Sequence, residues 1–149
     1  MSGLIDTNLL LYAANADAEE HSAARAFLSR VGRAADPWYL TEGILYEFLR
    51  VATHPKVFPS PLTWREGLQF LQPFVDADNV HLLQATDDHW PQLADMLPKL
   101  THPSGNLFFD VRTAVLMLEH GVRRIYTVDA DFLQFPDLEV VNPLRPNAN

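Results

Sequence analysis

Apolar residues recur along this chain at helical spacing in some stretches and in short unbroken runs in others, and the two patterns alternate. Leu107, Val111, Ala114 and Leu118 fall on one stripe of a helix that Asn106 can cap and Gly121 can stop. A strand over residues 124–127 follows, and just beyond it stand two acids, Asp129 and Asp131. Upstream, residues 3–5 make a minimal strand, and Asp6-Thr7-Asn8 supplies caps for a helix over 9–14. An alanine-rich helix over 17–31 ends at Gly32, and residues 38–40 have strand composition. A helix from about 42 to 53 then carries Ile44, Phe48 and Val51 on one stripe, with Glu47 inside it.

Three prolines within residues 54–61 exclude regular structure there. Thr63 and Glu66 have capping-box spacing and open a helix to about residue 76, with Leu68, Leu71 and Val75 as its core-facing positions. Residues 80–83 form a short strand, Thr86 or Asp87 caps a helix that tolerates Pro91 near its start, and 138–141 form a last strand ended by Pro143. Strands alternating with helices predict a three-layer α/β/α fold around a central parallel sheet of about five strands. Residues 1–143 read as one domain, and 144–149 as a frayed tail.

At 149 residues and 48% apolar composition, one chain of this length can bury a full core. No run of 18 apolar residues and no signal-peptide pattern is visible, so the expectation is a cytoplasmic protein with no membrane contact. The chain has no cysteine, which excludes disulfides and thiolate zinc sites. Its formal charge of −8 argues against the broad basic face of a general phosphate-backbone binder. Arg50, Arg112 and Arg124 are read here as salt-bridge partners and surface charge, with phosphate clamps as the alternative reading.

Four acids change the picture. Asp6 and Asp129 follow strands, while Asp110 and Glu47 sit on helix stripes that should turn inward. If the strands at 3–5 and 124–127 are neighbours, the gap between them is a topological switch point with Asp6 and Asp129 at its mouth. Carboxylates gathered there repel one another unless divalent cations neutralise them. Hard oxygen ligands without a His or Cys partner favour Mg2+ or Mn2+ over zinc, and such a site suits phosphoryl hydrolysis.

Singly, each acid has an ordinary structural account. Asp6 is a helix cap, Asp110 lies in a first helical turn, Glu47 can pair with Arg50, and Asp129 and Asp131 suit a turn. Only their joint placement argues for a site. His54, His102 and His120 read as structural or exposed, and Trp38, Trp64 and Trp90 as core or interface anchors. A phosphotransfer domain is excluded because the only lysines, Lys56 and Lys99, fall in loops and no second aspartate follows Asp6 two residues on. A dinucleotide site fails for want of G-x-G-x-x-G.

Leu4-Ile5-Asp6-Thr7-Asn8, the Glu47 helix running into Arg50-Val51-Ala52-Thr53-His54-Pro55, Asp110, Glu119-His120-Gly121 and Thr127-Val128-Asp129-Ala130-Asp131-Phe132 together resemble the PIN-domain ribonucleases. More narrowly they resemble the VapC-type toxins of toxin–antitoxin pairs, from Leu4 to Pro143. The resemblance implies a metal-dependent endoribonuclease acting on RNA and neutralised by a cognate antitoxin, which blocks the site with a basic side chain. Matched by motif, Asp6, Glu47, Asp110 and Asp129 are the acids that bind Mg2+ or Mn2+ and direct hydrolysis. Asp131 matches a further acid that helps hold the site, Thr127 a polar residue at its rim, and Asn8 would orient Asp6. Val111 departs from the alanine usual after the family's acid. The alternative is a non-catalytic PIN-fold module that binds RNA or a partner protein. Val57 and Phe58, taken as exposed in the proline-rich loop, make a homodimer the expected assembly.

Overall fold

Parallel strands need crossovers, and the alternation of short apolar runs with amphipathic helices supplies them. The computed structural model describes residues 1–145. Its strands are β1 (Leu4–Ile5), β2 (Trp38–Thr41), β3 (Val80–Leu83), β4 (Arg124–Tyr126) and β5 (Glu139–Val141). They form one sheet in the order β3-β2-β1-β4-β5, and every neighbouring pair is parallel. The chain builds β2 and β3 on one side of β1, then β4 and β5 on the other. The order therefore reverses between β1 and β4, where Leu4 pairs with Ile125 and Ile5 with Tyr126. Leu4 and Ile5 are both fully buried, as befits a parallel strand covered on two faces.

The helices are α1 (Thr7–Ala14), α2 (His21–Arg33), α3 (Glu42–Ala52), α4 (Trp64–Asp76), α5 (His89–Met96) and α6 (Leu107–Glu119). α1 packs on α2 and α3, α3 on α4, and α5 on α6, which gives the three-layer α/β/α architecture expected. Among the described residues no helix is long and apolar enough to cross a membrane. Of the tail expected to fray, residues 146–149 lie outside the described residues.

Several boundaries depart from the sequence reading. α2 starts at His21 rather than residue 17, because turns occupy the stretch before it, and it runs through Gly32 to Arg33. Its end is capped from far along the chain: Asn79 Nδ2 donates to the carbonyls of Val31 at 2.9 Å and Ala34 at 3.1 Å. Gly121 does stop α6, with φ at 69°. Asn106 makes no side-chain cap, since its own backbone is already helical; the turn at Gly105 opens α6 instead. Neither Thr86 nor Asp87 is the residue at the N-terminus of α5, which is Asp88. Thr86 still orders that turn, while its own N–H and hydroxyl bond to the Glu119 carboxylate from α6.

α4 opens with the expected capping box: Thr63 Oγ1 accepts the Glu66 N–H at 3.1 Å and Glu66 Oε1 accepts the Thr63 N–H at 3.0 Å. Thr63→Ala is expected to cost about 1 kcal/mol, read as a lower urea midpoint with unchanged slope. The buried stripe of α4 differs from the one expected. Gly67 and Leu71 are buried, and Phe70 stacks on Phe48 of α3 at 5.0 Å, whereas Leu68 and Val75 are 47% and 43% exposed. They lie one residue, about 100° of helical turn, away from the packed face. The proline-rich loop is also corrected. Val57 is exposed, but Phe58 tucks into the core at 4% exposure.

Candidate active site

β1 and β4 end side by side, so the residues that follow them, Asp6 and Thr127, emerge together at the C-terminal edge of the sheet. Asp6 is the N-cap of α1, its Oδ1 accepting the Thr7 N–H at 2.8 Å. Its Oδ2 accepts the Thr127 hydroxyl at 2.7 Å and Asn8 Nδ2 at 3.1 Å. Asn8 Nδ2 also reaches Thr127 Oγ1 at 3.0 Å, and Asn8 Oδ1 accepts the Val128 N–H at 3.3 Å. Thr127 Oγ1 accepts the Asp129 N–H at 2.9 Å. The Thr127 hydroxyl, 1% exposed as a residue, thereby uses its one donor and both lone pairs. Thr127→Val keeps the shape and removes all three bonds. It is expected to cost on the order of 1–3 kcal/mol, measured by chemical unfolding, because the Asp129 N–H and the Asn8 amide lose a buried partner.

The remaining acids arrive from three elements. Asp129 Oδ1 accepts the Asp131 N–H at 2.8 Å and caps a short 3-10 helix, Ala130–Gln134, so the turn reading of this pair is correct as well. Asp110 comes from the first turn of α6, half-buried. Asp110, Asp129 and Asp131 each offer a carboxylate oxygen within 4.8 Å of the others. Val111 is accommodated in the core, where it is fully buried.

Glu47 is placed differently from the sequence reading. It is exposed, and the buried positions of α3 are Ile44, Phe48 and Ala52, so Glu47 stands beside the apolar stripe rather than inside it. Its Oε2 accepts the Thr7 hydroxyl at 3.1 Å, a link to the Asp6 segment that the sequence did not suggest. It makes no ion pair with Arg50. Glu47, Asp110, Asp129 and Asp131 line a cleft of about 800 Å³ between α3 and α6.

Burial and mutual repulsion act on this cluster as expected for gathered carboxylates. Burial chiefly pushes Asp6 up to about 6 against the hydrogen bonds from Thr127 and Thr7, with the charges of Glu47 and Asp129 adding to the rise. Asp110 is pushed up to about 7, first by burial and then by the charges of Asp6, Asp129, Asp131 and Glu47. A donor set made only of carboxylate oxygens fits a hard divalent cation. Asp110 and Asp131 accept no hydrogen bond on their carboxylates from the described residues, which leaves their lone pairs open for such an ion.

Arg124 pairs with Glu139 at 3.0 Å, as expected of a surface arginine. Arg50 and Arg112 do not follow that expectation: they line the acidic cleft and bond to no acid among the described residues. Two rim aromatics were also missed, Tyr46 and Phe109, 73% and 67% exposed. Their signal was available in the sequence, since each immediately precedes a site acid.

Comparison with known proteins bears on the family and the fold. A model of the PIN domain family matches residues 3–138. Ribonuclease VapC33 of Mycobacterium tuberculosis is 33% identical over 140 residues, spanning 94% of this chain and 96% of its own length. Among solved structures, VapBC2 from Rickettsia felis, bound to a DNA fragment from its promoter, superposes with a TM-score of 0.67 at 15% identity, covering 94% of this chain and 97% of that one. VapC20 of Mycobacterium tuberculosis, a sarcin–ricin loop cleaving toxin, superposes at 0.64 with 16% identity over 89% of this chain and 93% of its own. At such identities these two structures speak to the fold.

Proposed function

The chain belongs to the PIN domain family, and from that premise we propose that it is a metal-dependent endoribonuclease toxin of the VapC type that hydrolyses RNA phosphodiester bonds. The observation that carries the reading is the meeting of Asp110, Asp129 and Asp131 within 4.8 Å, backed by buried Asp6 and faced by Glu47, in a cleft at the sheet's switch point. The relatives' name as ribonucleases supports RNA as the substrate.

Asp110, Asp129 and Asp131 would hold a Mg2+ or Mn2+ ion. Such an ion, when bound, supplies positive charge to the phosphoryl oxygens and makes an attacking water more acidic. Asp6 keeps a fixed negative charge behind that group, since three donors prevent its carboxylate from turning away. Glu47, from the opposite lip, closes the ring of acids around the reacting phosphate. Phosphoryl transfer asks the protein mainly for position and charge, and this arrangement offers both.

A cognate antitoxin belongs to the proposal, supported by the VapBC complex among the structural neighbours. The acidic cleft suits a basic side chain reaching in from such a partner. A homodimer is also proposed, now on α4 rather than the proline-rich loop: Trp64, Leu68 and Val75 leave an apolar stripe there, all exposed. Sedimentation as a monomer at micromolar concentration would defeat it. A cytoplasmic location is part of the same proposal, since the substrate would be cellular RNA.

The test is a cleavage assay on labelled structured RNA in EDTA, Mg2+ and Mn2+. Cutting is expected only with metal, and its restoration after EDTA by either ion. RNA binding without cutting in any metal would overturn the enzyme in favour of a binding module.

A further inference from the structure

The two helices that wall the cleft present matching sets of side chains. α3 offers Tyr46, Glu47 and Arg50; α6 offers Phe109, Asp110 and Arg112. On each helix the acid faces the floor's carboxylates, while an exposed aromatic precedes it and an arginine follows within a turn. An arginine beside so many carboxylates would ordinarily be captured by one of them. Neither Arg50 nor Arg112 is, among the described residues.

Gly43 explains part of this for Arg112. A Cβ built at Gly43 would lie 2.9 Å from Arg112 Nη2 and 3.2 Å from its Cζ. The guanidinium therefore rests against Gly43 at the start of α3, and a side chain there would shift it from this position. Alanine is more stable than glycine by about 0.5–1 kcal/mol in a helix interior, and by less in the first turn, where Gly43 stands. Glycine at this position thus trades helix stability for the place of the arginine.

A guanidinium held free of carboxylates is suited to phosphate, which it can bind in a forked, charge-assisted contact. Exposed aromatic faces next to it suit bases, and only bases that are unpaired and unstacked offer a face to receive. We propose that Arg112, seated on Gly43, and Arg50 across the cleft bind phosphates flanking the scissile bond, while Phe109 and Tyr46 stack the unpaired bases of a single-stranded RNA segment. This rests on the ribonuclease reading and gives the acidic chain its missing RNA-binding surface, two arginines and two rings rather than a broad basic face.

The test is binding of a fluorescein-labelled single-stranded oligouridylate in Mg2+, followed by anisotropy in an Asp110→Asn background so that turnover does not intervene. Arg112→Ala and Arg50→Ala are each expected to weaken binding about tenfold. Each should also flatten the dependence of log affinity on log salt by about 0.7, as for one lost single-strand phosphate contact. Phe109→Ala and Tyr46→Ala are expected to weaken it roughly five- to tenfold. Gly43→Ala should weaken binding several-fold while raising Tm, a combination that a purely structural glycine would not produce. Arg112→Lys should restore part of the loss and most of the salt slope.

Equal affinity in all these variants, or no binding of the oligonucleotide, overturns the inference. So does loss of binding to a protein partner alone, which would reassign the surface. Metal-dependent cutting by the parent chain with unaltered variants would sink this grip and leave the ribonuclease reading standing. Arginine-dependent binding without any metal-dependent cutting would do the reverse.

Discussion

Asp110→Asn is expected to lower the rate of RNA cleavage by about 10³-fold or more, equivalent to about 4 kcal/mol of transition-state stabilisation, and at the same time to make the metal-free protein more stable above pH 7. Asp110 is the cleanest of the acids to test. Its carboxylate accepts no hydrogen bond from the described residues, so the amide removes charge without breaking a network. Asp6→Asn would remove the same charge but also unbalance the donors of Thr7, Asn8 and Thr127. The stability gain has a definite sign. Asp110 ionises only near pH 7 because burial and four neighbouring acids oppose its charge. Above that pH the native carboxylate is charged and repelled, whereas the amide is not. With the group about half exposed, solvent screening limits the gain to roughly 1 kcal/mol. Single-turnover cleavage and thermal melts in EDTA at pH 5 and pH 8 read the two effects. Retained cleavage would remove Asp110 from the site, and lost cleavage without the gain at pH 8 would mean that the acids do not repel one another as their spacing implies.

How much of this was legible in the sequence follows from the range of the contacts involved. The sheet and its switch point depend on short apolar runs separated by helices, and β1 and β4 announce themselves within a few residues each. Asp6, Asp129 and Asp131 could be placed because they sit at strand ends, where topology alone fixes the edge they occupy. Their ordinary roles proved compatible with a site: Asp129 caps its turn while lining the cleft, and Asp6 caps α1 while buried behind it. What failed was decided by residues distant in sequence. The end of α2 is set by Asn79, over forty positions on, and the packed face of α4 by Phe48 and Leu49 of α3. Periodicity on α4 tolerates either of two stripes a residue apart, and only the neighbouring helix chooses. Glu47 was misplaced for a similar reason, since an acid beside an apolar stripe and one inside it differ by a fraction of a helical turn. The free state of Arg50 and Arg112 was hidden altogether, because a salt bridge not made leaves no mark in composition.

The same electrostatics predict that metal flattens the pH dependence of stability. In EDTA the protein is expected to lose stability between about pH 4 and pH 7. Over that window the folded state retains protons on Asp6 and Asp110 that the unfolded chain, with carboxyls near 3.8, has released. Stability falls with pH wherever the native state binds more protons than the unfolded one. Moving the buried Asp6 carboxyl from 3.8 to about 6 corresponds to about 3 kcal/mol by linkage, and half-exposed Asp110 adds a smaller, screened share. A divalent cation binds only the folded, ionised cluster, so it competes with those protons. Its apparent affinity should rise by up to about tenfold per pH unit between pH 6 and pH 7, more steeply below as Asp6 also holds a proton, and level off above as the last proton leaves Asp110. At a concentration a hundred times its dissociation constant it contributes about 2.7 kcal/mol, enough to offset most of the cost. Melts at pH 5 and pH 8, with EDTA or Mn2+, should therefore show the ion stabilising strongly at pH 8 and weakly at pH 5, with cleavage following the same profile and excess metal rescuing it at the acid end. Asp110→Asn should flatten the EDTA slope. An ion that stabilises equally at both pH values would be bound elsewhere, and a metal-free protein more stable at pH 8 than at pH 5 would mean that other groups, not these carboxyls, govern its response to acid.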